Sequence, residues 1–500
     1  MSRYELMRSV FLRALGIVYA VAFASLAVQI VGLVGESGIL PAAEYLESAR
    51  RGEGARAYRL LPTLCWLSAS DGFLLALAWG GVGLSLLLIA GIAPMLCLLL
   101  LWLFYLSLTV VGQVFLHFQW DTLLLETGLL AALFAPTTLG RGGLAEQRVS
   151  DLVRWLLWLL LFKLMFLSGI TKLVSADPTW VNGSALAFHY ETQPLPSWTS
   201  WYAHQLPAAI QLGSLAFMWL AELVAPFAIF APARHRWLRR AGCAVMVSFQ
   251  LAIAATGNYG FFNGLTIVLC LSLLDDDVWR WLLPARFGAR RSHDPGPAPR
   301  WATDLRVVAA IVLVPLSALA FAREIAYTVP RAPGGSRPLA WSEPLVGWAR
   351  PFRSVNGYGL FRTMSTERPE IAIEGRRAGG DWVEYRFRWK AGPPGEAPRF
   401  VAPHQPRLDW QMWFAALNPR RHENWLLPLA HRLLEGSREV RALLADGPFG
   451  DAPPDELRFV VYRYRFSRWG EPQADGAWWV REPLGALTGP ISRQAFERAR

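Results

Sequence analysis

The chain has 500 residues, 53 % of them hydrophobic, a formal net charge of +11 and only 17 % charged residues. Its length would suggest about three soluble domains, but long apolar runs fill the first two thirds; they exclude that reading and point to a polytopic helical membrane protein. The positive balance does not call for nucleic acid, because basic residues in such proteins mark cytoplasmic loops and meet anionic headgroups of membrane lipids.

Nine apolar segments are predicted, at 10–34, 72–92, 94–117, 121–136, 153–174, 208–231, 241–256, 260–275 and 305–323. The first is too long for a cleavable signal peptide and reads as an anchoring helix. Segments 121–136, 241–256 and 260–275 fall short of the ~20 residues of a perpendicular span, and read as thin, tilted or re-entrant pieces. With Arg3, Arg8 and Arg13 in the cytoplasm, nine spans put loops 137–152, 232–240 and 276–304 on that side too. The second loop holds Arg234, Arg236, Arg239 and Arg240; the third holds Arg280, Arg286, Arg290, Arg291 and Arg300. Loop 175–207, on the other side, has no lysine or arginine. The arginines of 35–71 are offset by Glu36, Glu44, Glu47, Glu53 and Asp71. This asymmetry obeys the positive-inside rule and places residues 324–500 outside the cytoplasm.

The fifth segment carries Lys163 and Lys172, two of the three lysines in the chain; Lys390 is the third, against 46 arginines. A lysine at mid-membrane costs at least ~2.5–3.5 kcal/mol on insertion scales, so it needs a partner, a cavity or the interface. Asp121 and Glu126 are the candidate counter-ions. Such a pair can tune proton chemistry or serve as a structural buried ion pair. The two lysines lie nine residues apart, about half a turn out of phase at ~100° per residue, and should not share a partner.

Three polar stretches interrupt the apolar background: HFQWDTLLLETG from His117, SGITKLVSADPTWVNGSALAFHYETQPLPSW from Ser168, and TGNYGFFN from Thr256. In the topology above all three meet the side of the tail. The residues singled out are His117, Gln119, Asp121, Glu126, Lys163, Lys172, Trp180, His189, Glu191, Asn258 and Asn263. They form a shared pocket or docking surface, or else helix caps and an aromatic interfacial belt. Asn182-Gly183-Ser184 has the form of a glycosylation acceptor.

The membrane domain is assigned to 1–325, a proline-rich linker to 326–344 and a soluble domain to 345–500. In the last, Val383, Tyr385, Phe387 and Trp389 alternate with Glu384, Arg386, Arg388 and Lys390, the period of a half-buried strand. EIAIEG before the GRRAGGDW turn predicts a hairpin, and Val460, Tyr462, Tyr464 and Phe466 predict another strand. Helices are expected at 409–418 and 422–445, giving an α+β fold with antiparallel strands. Cys65, Cys97, Cys243 and Cys270 lie in or beside apolar segments without a C-x-x-C, which argues against disulfides, thiol redox chemistry and zinc. No nucleophile elbow, Walker loop, zinc-protease motif or dinucleotide fingerprint occurs. No catalytic residue, cofactor or metal is therefore assigned.

FQWDTLLLETG, FKLMFLSGITKL with PTW, HYETQPLP, TGNYGFFNGLTI, YGLFRTMSTERPEI and PHQPRLDWQMWFAAL together resemble the lipase maturation factor family over roughly 60–480. The resemblance implies a multi-pass membrane protein, in the endoplasmic reticulum in animals, that helps dimeric secreted lipases fold and assemble, with the C-terminal domain engaging the client. The arginine-rich composition and compact loops point instead to a bacterial inner membrane. SGITKL with PTW and NGSAL is also similar to the membrane core of vitamin-K-dependent carboxylases, a likeness that carries over only Lys172.

The leading expectation is a chaperone-like folding factor for exported lipases, with client contact through exposed aromatic surface of the tail. The candidate client-binding residues are His404, Gln405, Arg407, Asp409, Trp410, Gln411 and Trp413. The alternative is a membrane enzyme acting on a lipid or quinone-like molecule, with Lys172 as base tuned by Asp121 or Glu126. A transport or scaffold role finds no inverted repeat to support it.

Overall fold

The computed structural model describes residues 4–140, 147–283, 296–330, 338–445, 447–450, 452–471 and 476–493. In chain order the membrane region comprises α1 (Glu5–Ala27), α2 (Asp71–Ala90), α3 (Pro94–Val111), α4 (Gln119–Phe134), α5 (Asp151–Val174), α6 (Ala208–Phe230), α7 (Ala233–Thr256), α8 (Phe262–Leu271) and α9 (Arg300–Thr328). Among the described residues seven helices are long and apolar enough to cross a membrane; α4, with 16 residues, and α8, with 10, are shorter. This is an integral membrane protein.

Local chemistry sets the boundaries. The Ser70 hydroxyl caps α2 by accepting from the Phe73 N–H. Gly91, at φ 77, ends α2, and Pro94 opens α3 after a short turn. At Gly81 a Cβ would sit 2.4 Å from the Phe23 ring, so glycine lets α1 and α2 pack closely. Several boundaries differ from the sequence expectation: α1 ends at Ala27 and α3 at Val111, earlier than expected, α9 is longer at both ends, and α7 starts early. Residues 233–240, expected as loop, are the first turns of α7. Arg240 pairs with Asp275 at 2.7 Å and Arg236 with Asp277 at 2.7 Å, so these arginines are accommodated on a helix.

The ends of the segments sort to two opposite sides. On one, the Met7 N–H donates to Asp276, Arg8 to the Gln147 carbonyl, and Arg306 to the carbonyls of Leu133 and Ala135. On the other lie the end of α1, the start of α4, the end of α5, segment 175–207 and the corner before α8. The tail packs on that side.

The tail contains a five-stranded antiparallel sheet. Its strands are β1 (Arg368–Arg376), β2 (Val383–Tyr385), β3 (Glu456–Phe466), β4 (Trp479–Ala486) and β5 (Ile491–Ser492), ordered β2-β1-β3-β4 with β5 against the start of β3. The hairpin forms as expected, with Ile373 opposite Tyr385. Its second strand is shorter than the alternation predicts. After Tyr385 the chain leaves the sheet, and the N–H groups of Trp389 and Lys390 donate to Asp409 at 2.9 and 3.0 Å. Helices α10 (Arg407–Leu417) and α11 (Glu423–Glu435) follow; Gly436, at φ 77, stops α11 well before residue 445. One buried apolar core runs from the membrane helices into the tail, joining Phe115 and Trp120 to Trp410, Trp425 and Ile371. Helix α9 continues past residue 325 to Thr328, and residues 331–337 of the expected linker lie outside the described residues.

Candidate functional site

The polar residues of the membrane region gather where the tail is seated, and most bond to it. At the deepest contact, Arg407 of α10 grips Asp121 of α4 with both terminal guanidinium nitrogens, at 2.6 and 2.7 Å, while the Tyr105 hydroxyl donates to the same carboxylate at 2.6 Å. Both partners are buried, at 1 % and 0 % side-chain exposure. Around them, the Arg407 N–H donates to Gln29, the Gln405 N–H to the Ser25 hydroxyl, and Gln411 to the Val114 carbonyl. Trp410 packs edge-on against Trp120 with ring centres 4.7 Å apart.

A second contact centres on Glu126. One carboxylate oxygen accepts from Lys163 at 2.5 Å, and the other from the Tyr358 hydroxyl at 2.7 Å and from Asn356 at 3.2 Å. Tail residues thus complete an ion pair that ties α4 to α5. A cavity of about 270 Å³ adjoins it, walled by Leu130, Leu160, Phe162 and Phe321.

The third contact holds Lys172. It pairs with neither Asp121 nor Glu126, because it faces away from Lys163, towards α6. There it donates to both oxygens of Glu222, at 2.8 and 2.7 Å, and to the Ser168 carbonyl at 3.0 Å. All three of its donors are used. Glu222 lies in a π-helical turn, Leu220–Val224, between the α-helical and 3-10 parts of α6. A cavity of about 600 Å³ opens beside the pair, lined by His189, Tyr190, Phe217, Phe249 and Tyr259 among others. Phe361 of the tail also lines it, and its carbonyl accepts from Trp180 at 3.0 Å. Phe361 sits at φ 53, a left-handed conformation that costs a bulky residue roughly 1–2 kcal/mol.

The fourth contact is made by backbone. Asn258 accepts from the N–H groups of Val401 and Ala402 at 2.8 and 3.1 Å and donates to the Arg399 carbonyl at 2.8 Å. Glu191 accepts from the Phe466 N–H at 2.9 Å, and Arg368 reaches back to the carbonyls of Glu191 and Pro194. Gln119 accepts from the Gly359 N–H at 3.3 Å. Asn263 instead bonds Gln250 within the membrane region, and His117 is exposed.

The expected client-binding residues therefore lie in this internal joint. Gln405, Arg407, Asp409, Trp410 and Gln411 are buried, and His404 and Trp413 are half-buried. All but Asp409, which binds the Trp389 and Lys390 N–H groups of the tail itself, bond or pack against the membrane region, and in this arrangement none of the seven is exposed. Burial also shifts the titration of two of them. It pushes the Asp409 carboxyl up to about 6, against the pull of the Trp389 and Lys390 N–H groups. It pushes His404 down to about 4, helped by the positive charges of Arg407 and Arg388. Among the described residues no cluster of His, Cys, Asp or Glu is arranged to hold a metal ion.

Sequence reasoning missed Ser25, Gln29, Glu222, Asn356, Tyr358 and Arg368. Glu222 had a signal, as the lone charged residue of segment 208–231.

Residues 6–281 match the lipase maturation factor transmembrane domain and residues 354–489 the lipase maturation factor C-terminal domain. The chain belongs to the lipase maturation factor family. It is 36 % identical to lipase maturation factor 2 of Gallus gallus, over 97 % of this chain and 81 % of the relative. It is 36 % identical to lipase maturation factor 2 of Homo sapiens, over 96 % and 82 %, and 34 % identical to lipase maturation factor 1 of Bos taurus, over 98 % and 90 %. No solved structure matches the chain. The family's two regions thus meet in this protein at a joint built from Asp121, Glu126, Trp180 and Asn258.

Proposed function

We propose that this chain is a membrane-bound maturation factor for exported lipases, and that it works on the non-cytoplasmic side with its tail seated on the membrane helices. The observation that carries the reading is the joint itself: at all four contacts the tail meets the same ends of the helices. The arginines of α7 and Arg306 lie on the opposite side, as the positive-inside rule asks of the cytoplasmic face. A client would then meet surface that the joint leaves open. One aromatic stretch of it combines Trp198 and Tyr202 with Trp469 of the tail, all exposed, with Trp469 and Tyr202 rings 6.1 Å apart. Exposed aromatic surface of this kind suits a partly folded, apolar client.

The compartment follows from the host: the endoplasmic reticulum in animals, the inner membrane in a bacterium. The test is to co-express an exported lipase with the full chain or with Trp198, Tyr202 and Trp469 all changed to serine. Lipase specific activity per mass of antigen should fall with the triple variant while the factor itself accumulates normally. Unchanged lipase activity would remove this surface from the proposal.

A further inference from the structure

The cavity beside Lys172 and Glu222 has no part in seating the tail beyond its Phe361 roof. It lies between the outer halves of α6 and α7, with the short helix Ala185–Thr192 as a third wall. Its lining is mostly apolar and aromatic. Leu206, Ile210, Gly213 and Ala252, on its rim, are exposed, so it opens sideways at a face where spanning helices meet lipid. Its charged groups are the Lys172–Glu222 pair, with His189 and Tyr259 beside them; Ser214 and Thr256 add hydroxyls to the lining. The Tyr259 hydroxyl donates to Gln193 at 2.9 Å and lies 3.3 Å from His189 Nε2.

We infer that this cavity binds one neutral, hydroxyl-bearing, single-chain lipid, which enters from the bilayer with its head at Glu222 and His189 and its chain between α6 and α7. Three observations set the class. The volume of about 600 Å³ holds roughly 20 groups at ~30 Å³ each, room for a glycerol head and most of one acyl chain, while a second chain would have to stay in the bilayer. The ion pair balances its own charge, so an ionised head would bring an uncompensated charge into a low-dielectric site. Burial and nearby Lys172 hold His189 down at about 4, and therefore neutral at ordinary pH. Each Glu222 oxygen uses one lone pair on Lys172 and keeps acceptor capacity for a hydroxyl. The π-turn that carries Glu222 is the kind of helix irregularity that recurs at binding sites. No bond is made or broken; the site holds its lipid. This goes beyond the maturation reading and does not depend on it.

The experiment uses purified full-length protein in nanodiscs of dioleoylphosphatidylcholine, with radiolabelled 1-oleoylglycerol as probe. Saturable binding at one site per chain is expected. Gly213→Phe adds a ring to the cavity wall where a Cβ meets nothing within 4 Å; it should weaken binding at least about tenfold. Gly83→Phe, at an equally open site on α2, should leave binding unchanged. Ionised oleate should compete at least about tenfold less well than unlabelled 1-oleoylglycerol. If Gly213→Phe does not yield folded protein, Ala252→Phe fills the same cavity from the opposite wall. Binding that does not saturate, or that survives the filling variant, overturns the site. Oleate competing as well as 1-oleoylglycerol overturns the assignment to a neutral lipid.

Discussion

Arg407 and Asp121 lie 286 positions apart in the chain, yet their charged groups meet in parallel at 2.6 and 2.7 Å with no water-exposed surface to speak of. Removing either partner strands a buried charge. Arg407→Ala or Asp121→Asn should each cost about 3–5 kcal/mol, while Arg407→Met combined with Asp121→Leu should recover most of the loss. Thermal unfolding of the single and double variants checks this, with protease release of the tail as a second readout. Additive losses would mean that the two groups are not coupled.

Lys172 tests structure against chemistry. Lys172→Met alone leaves Glu222 buried and unpaired, and should lower accumulation of the protein sharply. Lys172→Met with Glu222→Met should restore accumulation and keep lipase maturation. Maturation lost in a double variant that accumulates and keeps its tail seated would give the lysine a role beyond pairing.

Asn258 holds three backbone groups of the tail, those of Arg399, Val401 and Ala402. Asn258→Ala should cost about 2–4 kcal/mol, since buried N–H groups are left without acceptors. Hydrogen exchange at Val401 and Ala402 should quicken first. Exchange unchanged at both amides would count against the assigned bonds.

His404 gives the joint a pH dependence whose sign is fixed. Its folded value, about 4, lies below the ordinary 6.5, so between these values the unfolded chain binds more protons. The stability from keeping it neutral is complete above about 6.5 and is lost as pH falls towards 4. Asp409 runs the other way: held up at about 6 against 3.8, it favours the fold below 3.8 and loses that contribution as pH rises through 6. The difference in stability between wild type and His404→Asn cancels Asp409. That difference should shift against the wild type by on the order of 1–3 kcal/mol between pH 7 and pH 4. A flat difference profile would show that His404 does not titrate abnormally.

Much of this was legible in the sequence because it depends on local pattern. Apolar runs marked the helices, two lysines in one span demanded partners, alternation marked β2 and β3, and EIAIEG with its turn marked the hairpin. What stayed hidden depends on residues far apart in the chain. Nothing near Arg407 signals that it will reach Asp121, and nothing near Lys172 points to Glu222, fifty positions on. The tail motif around Trp410 read as a client surface because its aromatic and polar residues look exposed when the helices beneath are not yet in place. The early start of α7 was masked by arginines whose partners, Asp275 and Asp277, lie on the far side of α8. Strand β2 stops short because Asp409, also distant, captures the following backbone.

The most direct test measures the specific activity, per mass of antigen, of lipases exported by the native host after this gene is deleted. The account predicts inactive or aggregated lipase, rescued by the full chain and not by a chain ending at residue 340. Equal specific activity with and without the gene would contradict it.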